Sequence, residues 1–314
     1  MTIICASSKG RSVALENFEI LSPFIVRKIW GGQRLAQLKS LNETGQDLPI
    51  GETWEVSRLA EGPSGLGNSD LHSEVSEEEL PYLIKFIDTS DNLSVQVHPH
   101  DEYAKQVENS VGKTECWLIL DAEPGAGIYL GFKPGITKKE FETAVAKCED
   151  VSRYLVFHQV QRGDFFFVPA GSIHAIGKGV TLIEVQQSSG ITYRVWDWNR
   201  VDSEGKSREL HIDKAMDVSR FESDFNDAST FNIQKGLLSN SGTRHVISHP
   251  DFNVWIVSGD WEPEKIQTTE RLIAIISLDG EVEVDNQRMQ PYQAMLGKKL
   301  PDVLKSSKSL LIVT

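Results

Sequence analysis

Three stretches of this chain carry side chains able to hold a metal ion. In SVQVHPHDEY (94–103), alternate strand residues share a face and lie about 7 Å apart. Ser94, Gln96 and His98 therefore point one way, and Val95 and Val97 the other. The valines are expected to pack. Gln96 and His98 are either solvent-exposed or directed together into a polar cavity. His100, beyond Pro99, is assigned to the turn and the surface. In GKTECWLIL (112–120), Glu115, Trp117 and Ile119 share one face, and Cys116, Leu118 and Leu120 the other. A carboxylate on a face with Trp and Ile is costly to bury unless it is paired or bound to a metal. Taken alone, a strand-end glutamate in solvent is the commoner explanation. In GDFFFVPAGSIH (163–174), Gly163-Asp164 enters a strand, Phe165 to Val168, that Pro169 ends. Ala170-Gly171 then makes a tight turn in which glycine tolerates positive φ. The turn fixes the direction of His174; the competing reading is a core histidine capping a hairpin.

Together the stretches offer two nitrogens, from His98 and His174, and two oxygens, from Gln96 and Glu115. Zn²⁺ accepts such a set, whereas structural zinc sites favour thiolates. A catalytic metal with a position left open is the expectation. Lys113 stands two residues before Glu115 and would share its face. Glu184 lies on another strand, where burial and a nearby metal would pull its pKa in opposite directions.

These residues need strands to hold them. FFFVPAG, TLIEVQQ, ITYRVWDW, FNVWIVSGDW, RLIAIISLDGEVEV and SLLIVT are β-branched and aromatic, and Gly, Asp, Asn and Pro separate them. That is the pattern of an all-β sandwich or barrel. Asp279-Gly280 is read as a hairpin turn between LIAIIS and EVEV. Helices are few. Ser76–Glu79 and Thr137–Glu140 both match the capping box, and the second opens a helix with Phe141, Ala144, Val145 and Cys148 at helical spacing. Another helix, capped by Asp101, follows His98-Pro99-His100. DKAMDVSRF suggests a connecting helix. The polar ESDFNDASTFN then places a boundary near 225, giving domains 1–225 and 226–314.

The whole chain narrows the function. Its 314 residues carry 32 Lys plus Arg against 45 Asp plus Glu, a net charge of −13, with no basic tract. Nucleic acid and anionic membranes are poor partners for it. No apolar run approaches the ~18 residues of a membrane span, and the N-terminus lacks the basic region of a secretory signal. Cys5, Cys116 and Cys148 are odd in number and far apart, which argues for a reducing cytoplasm over a disulfide framework. The sequence carries no signal of oligomeric state.

Gly163 to His174 resembles the second motif of the cupin superfamily, with Lys178 in place of its usual terminal Asn. Gln96-x-His98, with Glu115 displaced by an insertion, departs from the H-x-H of cupin dioxygenases and resembles the type I mannose-6-phosphate isomerase family. LIKFIDTSDNLSVQVHP (83–99), GKTECW (112–117) and the run from His174 through IEVQQSSGITYRVWDWNR (183–200) resemble further segments of that family. The resemblance spans about Val26 to Arg200 and fits the short bacterial form. It implies a mainly β fold of two cupin-type (jelly-roll) barrels with a few inserted helices in the N-terminal half, the second barrel metal-free.

The resemblance also implies that Gln96, His98, Glu115 and His174 bind one Zn²⁺, that Arg194 is the catalytic arginine, and that Lys85 and Ser94 contact the substrate phosphate. Arg200 stands where the family often has Lys, and Trp54-Glu55 resemble a segment near the cavity. Without the resemblance, a salt bridge to Asp197 or Asp202 would explain Arg194, and core packing would explain Trp54. The implied reaction interconverts mannose 6-phosphate and fructose 6-phosphate through an enediol. Glu184, Lys113 and a metal-bound hydroxide are open as the base. A dianionic phosphosugar in so acidic a chain requires a local basic patch, drawn from Lys85, Lys113, Arg194 and Arg200. The alternatives are an Fe²⁺ cupin dioxygenase and a non-catalytic bicupin that binds sugars.

Overall fold

The computed structural model describes residues 15, 17–41, 46–201, 204–306 and 308–314. It has the mainly β architecture that the sequence implies. Among the described residues four antiparallel sheets form, of five, six, eight and three strands. Apolar side chains, alternating along the strands, fill the spaces between them.

The five-stranded sheet turns Val95, Val97, Ala175 and Val195 outward. There they pack against Phe141 and Ala144 of the Lys138–Ala146 helix and Ala215 and Met216 of the Ile212–Val218 helix. Its inner face meets the six-stranded sheet through Ile128, Leu130 and Ile176 against Trp117, Ile119 and Leu182. The six-stranded sheet is buried on its other face too. Tyr82, Ile84, Phe86, Leu118 and Leu120 pack against Phe252, Val254, Ile256, Ile276 and Leu311 of the eight-stranded sheet. Each such side chain contributes roughly 1.5–3 kcal/mol of burial free energy. The eight-stranded sheet closes over the three-stranded one through Ile273, Ile275, Ile312, Val282, Val284 and Met289.

The chain is laced between its two halves. The Glu19–Ser22 strand pairs with Ala294–Gly297 in the eight-stranded sheet, far along the sequence. In the opposite direction, Phe165 exchanges backbone hydrogen bonds with Gln234 at 2.8 and 3.0 Å, which extends the edge of the six-stranded sheet.

Several local expectations hold. Thr137 and Glu140 make both hydrogen bonds of a capping box at the start of Lys138–Ala146. Gly171 sits at φ 88°, and His174 opens the His174–Ile176 strand. Others are corrected. His100, not Asp101, caps the Asp101–Val107 helix, its ring accepting from the Tyr103 N–H. Cys148 lies beyond the end of its helix, exposed and at φ 53°. Ser76 and Glu79 make the reciprocal capping bonds at 3.2 Å, yet only a turn follows because Pro81 allows no further helix. Asp279-Gly280 does not make a hairpin. Ile273–Ser277 pairs with Ala294–Gly297 and Ser309–Val313, while Val282–Val284 crosses to the three-stranded sheet. The tight hairpin there turns at Asp285-Asn286, both at positive φ, as a type I′ turn needs. Cys5 lies outside the described residues.

Candidate metal centre and cavity

Two rows of side chains face one another between the five- and six-stranded sheets. On the five-stranded sheet, Gln96 lies directly opposite His174 on one side and Arg194 on the other. On the six-stranded sheet, Trp117, Glu184, Lys85 and Trp54 are successive cross-strand neighbours. Cross-strand partners share a face, so strand register alone places these residues along one cleft. The cleft encloses a cavity of about 120 Å³ lined by Lys85, Ser94, Gln96, Lys113, Glu184 and Arg194 among others.

His98, Glu115 and His174 meet beside the Gln96 and Lys113 side chains of that lining. One ligand atom from each lies within 4.8 Å of the others, and all three residues are buried. This is the only such cluster among the described residues. His174 Nε2 is 3.3 Å from Glu115 Oε1, and His98 Nε2 is 3.5 Å from Oε2. Donors at roughly 2.0–2.1 Å from a tetrahedral ion stand about 3.3 Å apart, so the spacing fits a small divalent metal. The other ring nitrogens are oriented by backbone carbonyls, His98 Nδ1 by Ile191 O at 2.8 Å and His174 Nδ1 by Ser172 O at 3.0 Å. Those bonds leave the Nε2 lone pairs facing inward. The Gln96 amide is 3.3 Å from His174 Nε2, and a half-turn of that amide presents its oxygen instead.

The electrostatics agree. Burial, with help from Lys113 and His174, holds His98 far below the usual imidazole range. Burial likewise pulls His174 down to about 4. Both rings are therefore neutral near pH 7, the form that binds metal. Burial and the neighbouring Glu184 charge push Glu115 up to about 7. Glu115 Oε1 is buried without a hydrogen-bond partner, a costly state that a coordinated cation relieves. The donor set already draws positive charge: the Lys113 ammonium lies 2.8 Å from Glu115 Oε2 and 2.9 Å from His98 Nε2. Burial disfavours that charge, but Glu115 and Glu184 outweigh it and hold Lys113 above the usual lysine range.

Glu184 is buried too, yet Lys113, Lys85 and the Trp117 indole N–H at 3.0 Å overcome its desolvation and hold its carboxyl below the ordinary range. Lys85 lies 3.5 Å from Glu184 and 3.6 Å from Glu52, with its ammonium 4.8 Å above the Trp54 ring. Trp54 is thus half-buried and does line the site region, whereas Glu55 points to the other face and pairs with Lys39.

A wider cavity of about 830 Å³ adjoins at Arg194 and Arg208 and includes Arg200 and Lys206. Asp197 accepts from Arg208 Nε at 2.7 Å and from Arg200 at 2.5 Å. It is therefore shared by those two guanidiniums. Arg194 instead donates to the Glu209 carbonyl at 2.8 Å, and its Nε is buried without an acceptor. Asp202 lies outside the described residues. Ser94 and Lys85 belong to the inner cavity, and Arg200 to the outer one. Sequence reasoning missed Glu52, Lys28 and Arg208. Arg208 sits in the polar GKSRE stretch with nothing in its spacing to mark it, and Glu52 was hidden beside Trp54-Glu55.

Fold and centre together define a class: mainly β proteins with a buried His/Glu/His metal-capable cluster beside a polar cavity that adjoins an arginine-rich one. Comparison with known proteins gives the class its family. Residues 19–116 match the family described as "Phosphomannose isomerase type I, catalytic domain". The mannose-6-phosphate isomerase of Streptococcus mutans is 36% identical over 304 residues, covering 89% of this chain and 91% of that protein. The crystal structure of the mannose 6-phosphate isomerase from Bacillus subtilis superposes with a TM-score of 0.78 at 26% identity, covering 95% of this chain and all of that one. A putative mannosephosphate isomerase from Archaeoglobus fulgidus shares the fold, with a TM-score of 0.70 at 20% identity over 94% of this chain and 96% of that one. This chain belongs to the type I phosphomannose isomerase family.

Proposed function

We propose that this protein is a zinc-dependent isomerase interconverting mannose 6-phosphate and fructose 6-phosphate. The supporting observation is that Gln96, Lys113, Glu184 and Arg194 line one polar cavity while Gln96 and Lys113 also touch the buried His98, Glu115 and His174 cluster. Gln96, His98, Glu115 and His174 would hold the zinc, which supplies polarisation of the sugar oxygens when bound.

The protein's own groups account for the proton traffic. Glu184 is ionised near neutrality and lines the cavity, so it is the group assigned to take the proton from one carbon and return it to the next. Lys113 is held protonated and serves as a charge stabiliser in place of a base. Arg194 remains cationic at all relevant pH and faces the negative charge that develops on the enediol(ate) oxygens. The phosphate is assigned to the mouth, where Arg200 and Arg208 crowd around Asp197, with Lys85 and Ser94 contacting the sugar phosphate from within. In a chain of charge −13, this is the local basic patch that a dianion requires. The N-terminal half, about 1–225, is assigned the chemistry, and 226–314 a second, metal-free β unit. Action in the cytoplasm fits a phosphorylated substrate, and no helix among the described residues is long and apolar enough to cross a membrane.

A coupled assay following fructose 6-phosphate formation tests the proposal. Turnover is expected with wild-type protein, loss on chelation, and recovery with added Zn²⁺. Arg194→Ala should lower kcat by about 10²–10³-fold. Full activity in that variant removes Arg194 from the mechanism, and turnover unaffected by chelation removes the metal.

A further inference from the structure

Among the described residues, the C-terminal half contributes no side chain to the inner cavity, yet one of its carboxylates, Asp251, is tied to Gln187 beside the centre. Gln187 ends the Val180–Gln187 strand and is buried. Its amide is fully used. Oε1 accepts from the Thr114 N–H at 2.8 Å, and Nε2 donates to Asp101 Oδ1 at 3.0 Å and to Asp251 Oδ2 at 2.7 Å. Its backbone N–H also donates to the Thr114 carbonyl at 3.0 Å. Thr114 lies between Lys113 and Glu115, and its hydroxyl accepts from the Ala170 N–H at 3.2 Å in the turn that leads to His174. Asp101 Oδ1 accepts from Gly112 N–H at 2.8 Å, and Lys113 N–H donates to Pro99 O at 3.0 Å, next to His98. The segments bearing His98, Glu115 and His174 therefore converge on one hydrogen-bonded knot around Thr114.

We propose that Asp251, acting through Gln187, is a positioning residue by which the C-terminal half sets the register of the Lys113–Glu115 segment in the centre. Without Asp251, one buried Gln187 N–H loses its acceptor, and only Asp101 and Thr114 still hold the amide. Asp251 is itself held between Arg271, at 3.8 Å, and His249, whose Nδ1 accepts from the Asp251 N–H at 3.2 Å. The knot is thus anchored to the Gly242–His249 and Phe252–Ser258 hairpin.

Two variants of the full chain test this, Asp251→Ala and Asp251→Asn. The asparagine oxygen still accepts from Gln187. In metal-free protein, hydrogen exchange at the Gly112 and Thr114 amides should be about tenfold faster in Asp251→Ala and restored in Asp251→Asn. Exchange at Ile275 and Val195, remote from the knot, should stay unchanged. Uniform acceleration at all four amides, or none at Thr114, overturns the proposal. The kinetic arm rests on the isomerase reading: kcat for mannose 6-phosphate should fall about fivefold in Asp251→Ala with KM unchanged, as expected when reacting groups are misplaced and binding groups are not. A KM change with kcat intact also overturns it. Absence of wild-type turnover would reject the isomerase reading alone, because the exchange measurement needs neither substrate nor metal.

Discussion

Neutral imidazoles are what distinguish this centre from an ordinary buried ion pair. Two histidines and a glutamate within 3.3–3.5 Å would normally attract protons onto the rings. Here burial and the Lys113 charge prevent it, so the rings keep their lone pairs for a metal. His98→Ala and His174→Ala should each lose stoichiometric zinc, measured by elemental analysis of the purified protein, and turnover should fall with it. A variant that keeps one zinc per chain would exclude that histidine as a ligand. What was legible from residue types is that Gln96 shares a face with His98 and Glu115 with Trp117, because alternation along a strand fixes which neighbours share a face. Arg208 was not legible. It reaches the cavity from a polar stretch whose placement depends on Asp197 receiving two guanidiniums, a tertiary event with no local pattern.

Turns decide where the ligand-bearing strands point. Gly171 adopts φ 88°, and a Cβ there would meet Val218 O at 3.0 Å and Arg220 Cγ at 2.6 Å. Gly171→Ala therefore carries both backbone strain and a clash, at about 1–3 kcal/mol for the strain alone. Because Gly171 N–H also donates to His98 O at 2.9 Å, the damage should reach both histidines. Weaker zinc binding in a chelator competition, together with a lowered melting temperature, is the expected outcome; an unchanged zinc affinity would show that the turn does not set His174. The P-x-G-x-x-H spacing made this turn readable in advance. The turn at Asp279-Gly280 misled because a Gly-containing pair signals a reversal but not its partner, and the next strand left for another sheet. Ser76–Glu79 misled differently: its capping bonds form, but Pro81 stops the helix they would start.

Lacing of the two halves was invisible to composition because it depends on pairings between residues hundreds of positions apart. Glu19–Ser22 joins a sheet built mostly from residues beyond 240. The same seam buries an ion pair, Lys39 with Glu55 at 2.9 Å, beside Thr53, Phe86 and the Tyr292 carbonyl. Burial raises the Glu55 carboxyl above its ordinary 4.5, with Lys39 and Thr53 only partly offsetting it. A carboxyl whose folded pKa exceeds its unfolded one binds protons more tightly when folded. Its contribution to stability is then complete below about 4.5 and is lost as pH rises through the raised value. Glu55→Gln removes that titration. The melting temperature of Glu55→Gln relative to wild type should therefore climb as pH rises from 4 towards 8, whatever its starting offset from the lost ion pair. A difference that is flat with pH, or that falls, would mean that Lys39 compensates the buried carboxylate fully and that the seam between the halves does not respond to pH at this position.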